Sequence, residues 1–447
     1  MNRDLTKGPV TWTMLRFAVP MIMGNLLQQC YNVADTMIVG KYLGKNALAA
    51  VGSSFTLMTF LTSILLGLCM GSGVVFSIRF GQRDDDGLKE SVSASFVLIA
   101  GLTVLLNISA FICLDQIQLW LRVPEEVWGI MREYLVVIFL GIAATFLYNY
   151  FASLLRAIGN SVVPLIFLAV SVTLNIALDF WFVLGVKLGT VGAAKATVIS
   201  QYAAGIGIAM YSLIQYRSFR LNLKDLRVRW ACIREIAGFS ILTCIQQTVM
   251  NLGILMVQGL VNSFGAVIMA AFTVAVKIDA FAYMPLQDFG NAFSTFIAQN
   301  YGAQKEERIR AGLKGAILTA SIFCAVISVT VWVFADRLMI LFVNAEDKEV
   351  SQIISEGVRY LHIEGAFYVG IGCLFLMYGL YRALGKPGMS VVLTVISLGT
   401  RVVLAYTLSS LPFIGVVGIW WAVPIGWFLA DMTGLIYYLT KKKQFLR

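Results

Sequence analysis

Charge is scarce in this sequence: only 13% of its 447 residues are Asp, Glu, Lys or Arg, about half the share of a soluble domain. There is one histidine, His362, which leaves little for His-based metal or acid–base chemistry. The seven cysteines (Cys30, Cys69, Cys113, Cys232, Cys244, Cys324 and Cys373) stand singly with no CxxC pair. They read as packing residues rather than as disulfides or zinc ligands. No GxxxxGK[ST] segment is present, so ATP is not expected to be the energy source. The lack of GxSxG or HExxH leaves no framework for a hydrolase. No enzyme activity, resident cofactor or nucleic-acid partner is expected.

In place of charge there is hydrocarbon. Hydrophobic residues make up 59% of the chain and the mean hydropathy is +0.81. Apolar runs recur between bunched charges, each long enough for a membrane about 30 Å thick, which takes roughly 20 residues of helix. Twelve spans are expected, near 14–40, 47–78, 91–114, 128–155, 161–186, 190–216, 232–262, 266–301, 311–343, 352–380, 388–411 and 415–440. The first run is too long for a signal-peptide core and carries an Asp near its end. The net charge of +10 follows sidedness: most Lys and Arg fall at the termini and in the even-numbered loops. The richest cluster is Arg217, Arg220, Lys224, Arg227, Arg229 and Arg234, between spans six and seven. Positive residues stay inside, so both termini and that loop are expected to be cytoplasmic in a multi-pass cell-membrane protein.

The two halves repeat. A shift of 221 residues lays Gly44 on Gly265, Ala49 and Ala50 on Ala270 and Ala271, and Gly81 on Gly302. A shift of 226 lays Leu155-Arg156-Ala157-Ile158-Gly159 on Tyr381-Arg382-Ala383-Leu384-Gly385, and residues 189–192 on 415–418. The expected organisation is a six-helix lobe over 1–216, a basic cytoplasmic linker over 217–231 and a second six-helix lobe over 232–447. Such parallel repeats relate two lobes by a pseudo-twofold axis along the membrane normal, a geometry suited to alternating access.

These residues carry a resemblance. The stretch Asn32-Val33-Ala34-Asp35-Thr36-Met37-Ile38-Val39-Gly40, continuing into Leu43-Gly44 and 47–52, resembles the end of the first helix of the multidrug and toxic compound extrusion (MATE) family. The paired Arg-Ala-Ile-Gly and Arg-Ala-Leu-Gly turns and Gln299-Asn300-Tyr301-Gly302-Ala303 are similar to it too, and the chain looks nearest the prokaryotic DinF-like branch. The resemblance implies an all-α membrane protein, a V-shaped fold of twelve helices. It also implies antiport, in which Na⁺ or H⁺ entry drives the export of amphipathic, often cationic, compounds.

An ionisable group inside a span costs about 2.5–3.5 kcal/mol to insert at the centre, so each is a functional candidate. Asp35, Asn175, Asp179 and Thr197 form the strongest set. Asn175 and Asp179 share a helix face at i,i+4, and counting along the spans puts all four at one depth in the outer half of the first lobe. Two carboxylates with an amide and a hydroxyl oxygen suit Na⁺; without a metal, two adjacent carboxylates repel and one takes a proton. The same four positions match the cation site that the resemblance implies. The competing reading is that Asp179, Asn175 and Thr197 only bond neighbouring helices.

At the repeat-equivalent places the second lobe has Met256, Arg401, Ala405 and Val423. Cation coupling is therefore expected in the first lobe alone, with the fixed charge of Arg401 closing the other pocket. Some relatives carry acids on helices seven and ten; here span seven has only Glu235, at its inner edge, and beyond the first turns of span ten there is only Glu364. Asp279 and Asp288 on span eight, with Gln28, Gln29, Gln246 and Gln247, are candidates for a substrate cavity, though an internal salt bridge involving Lys277 is an equal reading of the two acids. His362 reads as a polar partner of Glu364 near a helix end, and Asp431 as bonded to a neighbouring helix. The rival function is a flippase for a lipid-linked or amphipathic metabolite. It would need a strongly basic cavity, and the basic residues near the middle of a span are Lys277 and Arg401 alone. Expected partners are small amphipathic or cationic substrates and membrane lipids, with the chain acting as a monomer.

Overall fold

The computed structural model describes residues 4–120, 123–216, 219, 229–342 and 349–445. Among these residues there are fifteen α-helices and no strand. The first eight are α1 (Val10–Leu43), α2 (Lys45–Gln82), α3 (Asp85–Ile112), α4 (Leu114–Trp120), α5 (Glu125–Leu140), α6 (Ile142–Ala157), α7 (Val162–Asp179) and α8 (Gly189–Gln215). They are followed by α9 (Trp230–Asn262), α10 (Ala266–Gly302), α11 (Glu306–Ile340), α12 (Val350–Gly365), α13 (Tyr368–Ala383), α14 (Pro387–Ser409) and α15 (Val417–Phe445). Ten helices are long and apolar enough to cross a membrane, and the count reaches twelve if the bent pairs α5–α6 and α12–α13 are each one span.

Their outward faces are apolar. On α11, Leu318, Ile322, Val326, Val329 and Val333 recur at helical spacing and are each more than half exposed, a stripe that only hydrocarbon would cover. Helices bond their own backbone groups along their length, the main demand that lipid makes.

The repeat is visible in the backbone. Six glycines with left-handed φ form three pairs: Gly44 at 84° and Gly265 at 97°, Gly159 at 84° and Gly385 at 74°, Gly189 at 62° and Gly415 at 55°, while Gly8 at 77° stands apart. Arg83 at 57° pairs with Gln304 at 55° in the same way, and Lys187 at 59° has no counterpart. Each marks a sharp turn into the next helix, a conformation that costs glycine nothing. Helix starts repeat as well: Asp85 and Asp86 occupy the first turn of α3, Glu306 and Glu307 that of α11, where acids complement the helix dipole. Asp84 caps α3, its side chain accepting from the Gly87 backbone N–H at 2.9 Å.

Spans four and ten are bent. The first bends by 42° at Gly141, the second by 53° at the break before Tyr368. Two further features are local: Asp179 ends α7 and is followed by one π-helical segment, Phe180–Gly185, of the kind that often marks functional positions.

The chain divides into two compact units. One is Met1–Leu5 with Val19–Cys244, the other Thr6–Ala18 with Ile245–Arg447. The expected boundaries at 216 and 232 differ from these at both ends. Thr6–Ala18 belongs with the C-terminal unit because Lys305 donates to the Thr6 carbonyl at 2.8 Å and Arg308 to those of Gly8 and Lys7 at 2.7 and 3.1 Å. The start of α9 belongs with the N-terminal unit: Arg229 forks onto Glu90, and Glu235 pairs with Arg79 at 2.9 Å. Of the basic cluster, Arg229 and Arg234 are described; Arg217, Arg220, Lys224 and Arg227 lie outside the described residues.

Candidate functional site

In the N-terminal unit, three helices bring four polar side chains to one place. Asp35 comes from α1, Asn175 and Asp179 from α7, and Thr197 from α8. Asp179 is 0% and Asn175 1% exposed, Thr197 is buried and Asp35 half-buried. The Asn175 amide donates to the Thr197 hydroxyl at 3.3 Å, and that hydroxyl also meets the Tyr31 hydroxyl at 3.2 Å. Asp35 and Asp179 are near enough for the charge of one to act on the other, and both act on Tyr31 and on Tyr134 of α5. The two tyrosines were not foreseen. With 17 tyrosines in the chain, nothing in the sequence singles them out, except that Tyr31 lies one helical turn before Asp35.

The electrostatics are lopsided. Oδ1 of Asp35, Oδ1 of Asn175 and both carboxylate oxygens of Asp179 are buried with no hydrogen-bond partner. Four acceptor oxygens thus converge without a donor, in a place where an uncompensated carboxylate costs several kcal/mol. A cation supplies what they lack. Oxygen ligands of this hardness suit Na⁺, and a proton shared between the carboxyls removes the same repulsion.

The C-terminal unit has its own buried cluster, assembled from other positions. Asp279 of α10 sits among Tyr360 and Glu364 of α12, Tyr368 of α13 and Arg401 of α14, all of which act on its carboxyl. Oδ1 of Asp279, Oε1 of Glu364, Oη of Tyr368 and Nε of Arg401 nevertheless lack hydrogen-bond partners. By the shift of 226, Tyr360 corresponds to Tyr134 and Arg401 to Asn175, so the two clusters occupy equivalent places in the repeat. The first holds two carboxyls and no basic side chain among its members. In the second the guanidinium is covalently fixed. The pairing of Asp279 with Glu364 is missed by the sequence because it depends on how α10 and α12 are rotated, not on spacing along either.

The other candidates are dispersed. Lys277 is exposed while Asp279 is buried, the opposite faces that a separation of two residues gives on a helix. His362 bonds the Trp332 carbonyl at 3.0 Å and stacks on that ring, so it is not Glu364 that it pairs with. Oδ1 of Asp431 is buried without a hydrogen-bond partner. Gln28 reaches only Asn32 of its own helix, at 3.5 Å, and Gln29 is half-buried. Asp288 is buried. Gln246 and Gln247 do line a recess, beside Gln287 and Asn291 of α10 and Phe375 and Arg382 of α13.

Comparison with known proteins follows from this geometry. The profile of the MatE family matches residues 20–181 and 240–407. The probable multidrug resistance protein YpnP of Bacillus subtilis (strain 168) is 28% identical, over 97% of this chain and 96% of its own length. The multidrug export protein MepA of Staphylococcus aureus (strain MSSA476) is 25% identical, over 98% of this chain and 95% of its own. Among solved structures, a MOP superfamily transporter from Pyrococcus furiosus, described as having a binding pocket of reversed polarity, matches with a TM-score of 0.92 at 22% identity, covering 99% of this chain and 98% of that one. An outward-facing multidrug resistance MATE family transporter matches at 0.90 and 24% identity, with the same coverage. At these identities the structural matches establish the fold.

Proposed function

We propose that this chain, which belongs to the MatE family, expels small amphipathic compounds in exchange for a cation, Na⁺ or H⁺, bound at Asp35 and Asp179. The chain is a multi-pass membrane protein of a transporter family. Export of drug-like compounds is supported by the multidrug names of relatives that match along nearly its whole length. The single observation that carries the coupling reading is the set of four buried acceptor oxygens without donors, on Asp35, Asn175 and Asp179.

The site performs coupling as follows. Without a cation, Asp35 and Asp179 repel, and α1 and α7 are held apart. A bound cation cancels the repulsion and lets α1, α7 and α8 close around it. A drug that binds the open arrangement better is thereby released when the cation enters, and the cycle resets when the cation leaves. Swinging such an equilibrium from 1:99 to 99:1 takes about 10⁴-fold differential affinity between the two arrangements, and a cation that bound both equally would drive nothing. Coupling is confined to this unit because Arg401 acts as a tethered cation in the other: its guanidinium cannot dissociate or be deprotonated. The excess of Lys and Arg in the even-numbered loops supports a cell-membrane exporter with both termini in the cytoplasm.

The test uses the purified chain in proteoliposomes loaded with an amphipathic cationic dye. Imposing a Na⁺ gradient and then, separately, a pH gradient is expected to drive dye against its own gradient in one of the two cases. Dye movement that follows only its own gradient under both conditions overturns the antiport reading.

A further inference from the structure

α10 turns a mixed face outward. Its inner side buries Phe272, Ala275, Ile278, Asp279 and Ala282 in the C-terminal unit. On the opposite side Met269, Thr273, Lys277 and Phe281 recur at intervals of four and are all exposed. The exposed stripe of α11 is aliphatic from Leu318 to Val333; this one carries an ammonium. Among the described residues no carboxylate pairs with Lys277, and Asp279 faces away from it into the unit.

Lys277 lies eleven residues beyond Ala266, the nearer end of α10, or about 17 Å along the helix axis. A lysine stem that snorkels does not cover that distance. Charges inside a span almost always face the bundle interior or a water-filled cavity. The interior is excluded here because the side chain is exposed, which leaves water. Thr273, one turn away, spends its hydroxyl proton on the Met269 carbonyl at 2.7 Å, so the ammonium is the strong donor on this face. The charge belongs to one half only: the shift of 221 lays Lys277 on Thr56, which is exposed and neutral.

We propose that substrates pass along this wet face of the C-terminal unit and that Lys277 sets their charge preference. Its ammonium holds a carboxylate or other anionic group of an amphipathic compound, while Phe281 and Met269 receive the apolar body. A zwitterion is then favoured over the cation that differs from it by one esterified carboxylate. The proposal rests on the export reading, since it names a preference among exported compounds, but its test requires no transport.

In a chain whose seven cysteines are replaced, Thr273→Cys is expected to react with water-soluble methanethiosulfonates. Relative to a free thiol in solution, it is expected to favour the anionic sulfonatoethyl reagent over the cationic trimethylammonioethyl one. Adding Lys277→Gln is expected to remove that preference. Leu318→Cys, on the aliphatic stripe of α11, is expected to react with neither reagent. Charge preference for substrate is read by equilibrium binding to the purified full chain in maltoside micelles. The two probes are rhodamine 110, a zwitterion with a free carboxylate, and rhodamine 123, its cationic methyl ester. Lys277→Gln is expected to weaken rhodamine 110 relative to rhodamine 123 about three- to fivefold, the worth of a solvated charge pair. An unreactive Thr273→Cys, or one that reacts without charge preference, overturns the wet, charged face. No saturable binding of rhodamine 110, or an unchanged ratio in Lys277→Gln, overturns the substrate preference. Failure of the export reading shows separately, as dye that follows only its own gradient in proteoliposomes.

Discussion

Asp35→Asn abolishes uphill efflux while the protein still inserts and elutes as a single species. The substitution keeps the size of the side chain, replaces one acceptor oxygen by a donating NH₂ and removes the charge. A contact between unit charges about 4 Å apart is worth roughly 4 kcal/mol at an effective dielectric of 20, or on the order of a thousandfold in cation affinity. The carboxylate oxygens of Asp179 stay behind without a donor, and one acid with an amide cannot hold the coupling ion against water. Insertion improves if it changes at all, because a charge has left the hydrocarbon. Initial rates of dye efflux under the driving gradient measure the effect, and Asp179→Asn is expected to behave alike. Normal rates in both variants would remove the coupling role from these residues.

Gly379→Val costs the fold and not the coupling. α10 and α13 cross in backbone contact in the C-terminal unit: a Cβ on Gly379 would lie 2.6 Å from the Gly290 carbonyl oxygen and 3.3 Å from Cβ of Ser294. Reciprocally, one on Gly290 would lie 2.9 Å from the Phe375 carbonyl oxygen. These obstacles are helical backbone, which cannot swing aside as a side chain can. Small residues at such crossings are what lets membrane helices pack closely. Overpacking costs about 1–3 kcal/mol even where neighbours can shift, so the melting temperature and the yield of monodisperse protein are both expected to fall sharply. Gly399, whose Cβ would meet nothing within 4 Å, provides the control: its substitution by Val is expected to leave both nearly unchanged. A Gly379→Val variant as stable as that control contradicts the packing described.

How much of this was legible in the sequence varies by residue. The spans were, since a run of twenty apolar residues leaves few alternatives, and so was the repeat. The glycine pairs that aligned by eye, Gly44 with Gly265 and Gly159 with Gly385, carry the same left-handed φ in both halves. Asn175 and Asp179 were placed together by helical spacing, and Asp35 by counting depth along a span of the right direction. The bends near Gly141 and Phe367 were not legible, because hydropathy is blind to direction and neither break carries a proline. Nor was the Asp279–Glu364–Arg401 cluster: each residue was noticed, but which face each helix turns inward is decided by packing across the bundle. Arg382 was read as part of a turn because its neighbours Ala383, Leu384 and Gly385 make one. Its burial against α10 is a tertiary fact. His362 and Glu364 illustrate the same point from the other side, two positions apart on α12 and therefore aimed at different partners, Trp332 and Asp279.

The most direct measurement asks whether positions 35 and 179 can grip one ion between them. In a chain whose seven cysteines are replaced by Ser or Ala, Asp35→Cys and Asp179→Cys together are expected to bind Cd²⁺ with a thiolate-to-metal charge-transfer absorption. Either substitution alone is expected to show none at the same concentration, since thiolates from both helices must reach the metal at once. Equal absorption in the single and double variants, or none in the double variant while both thiols remain open to alkylation, would contradict a shared site.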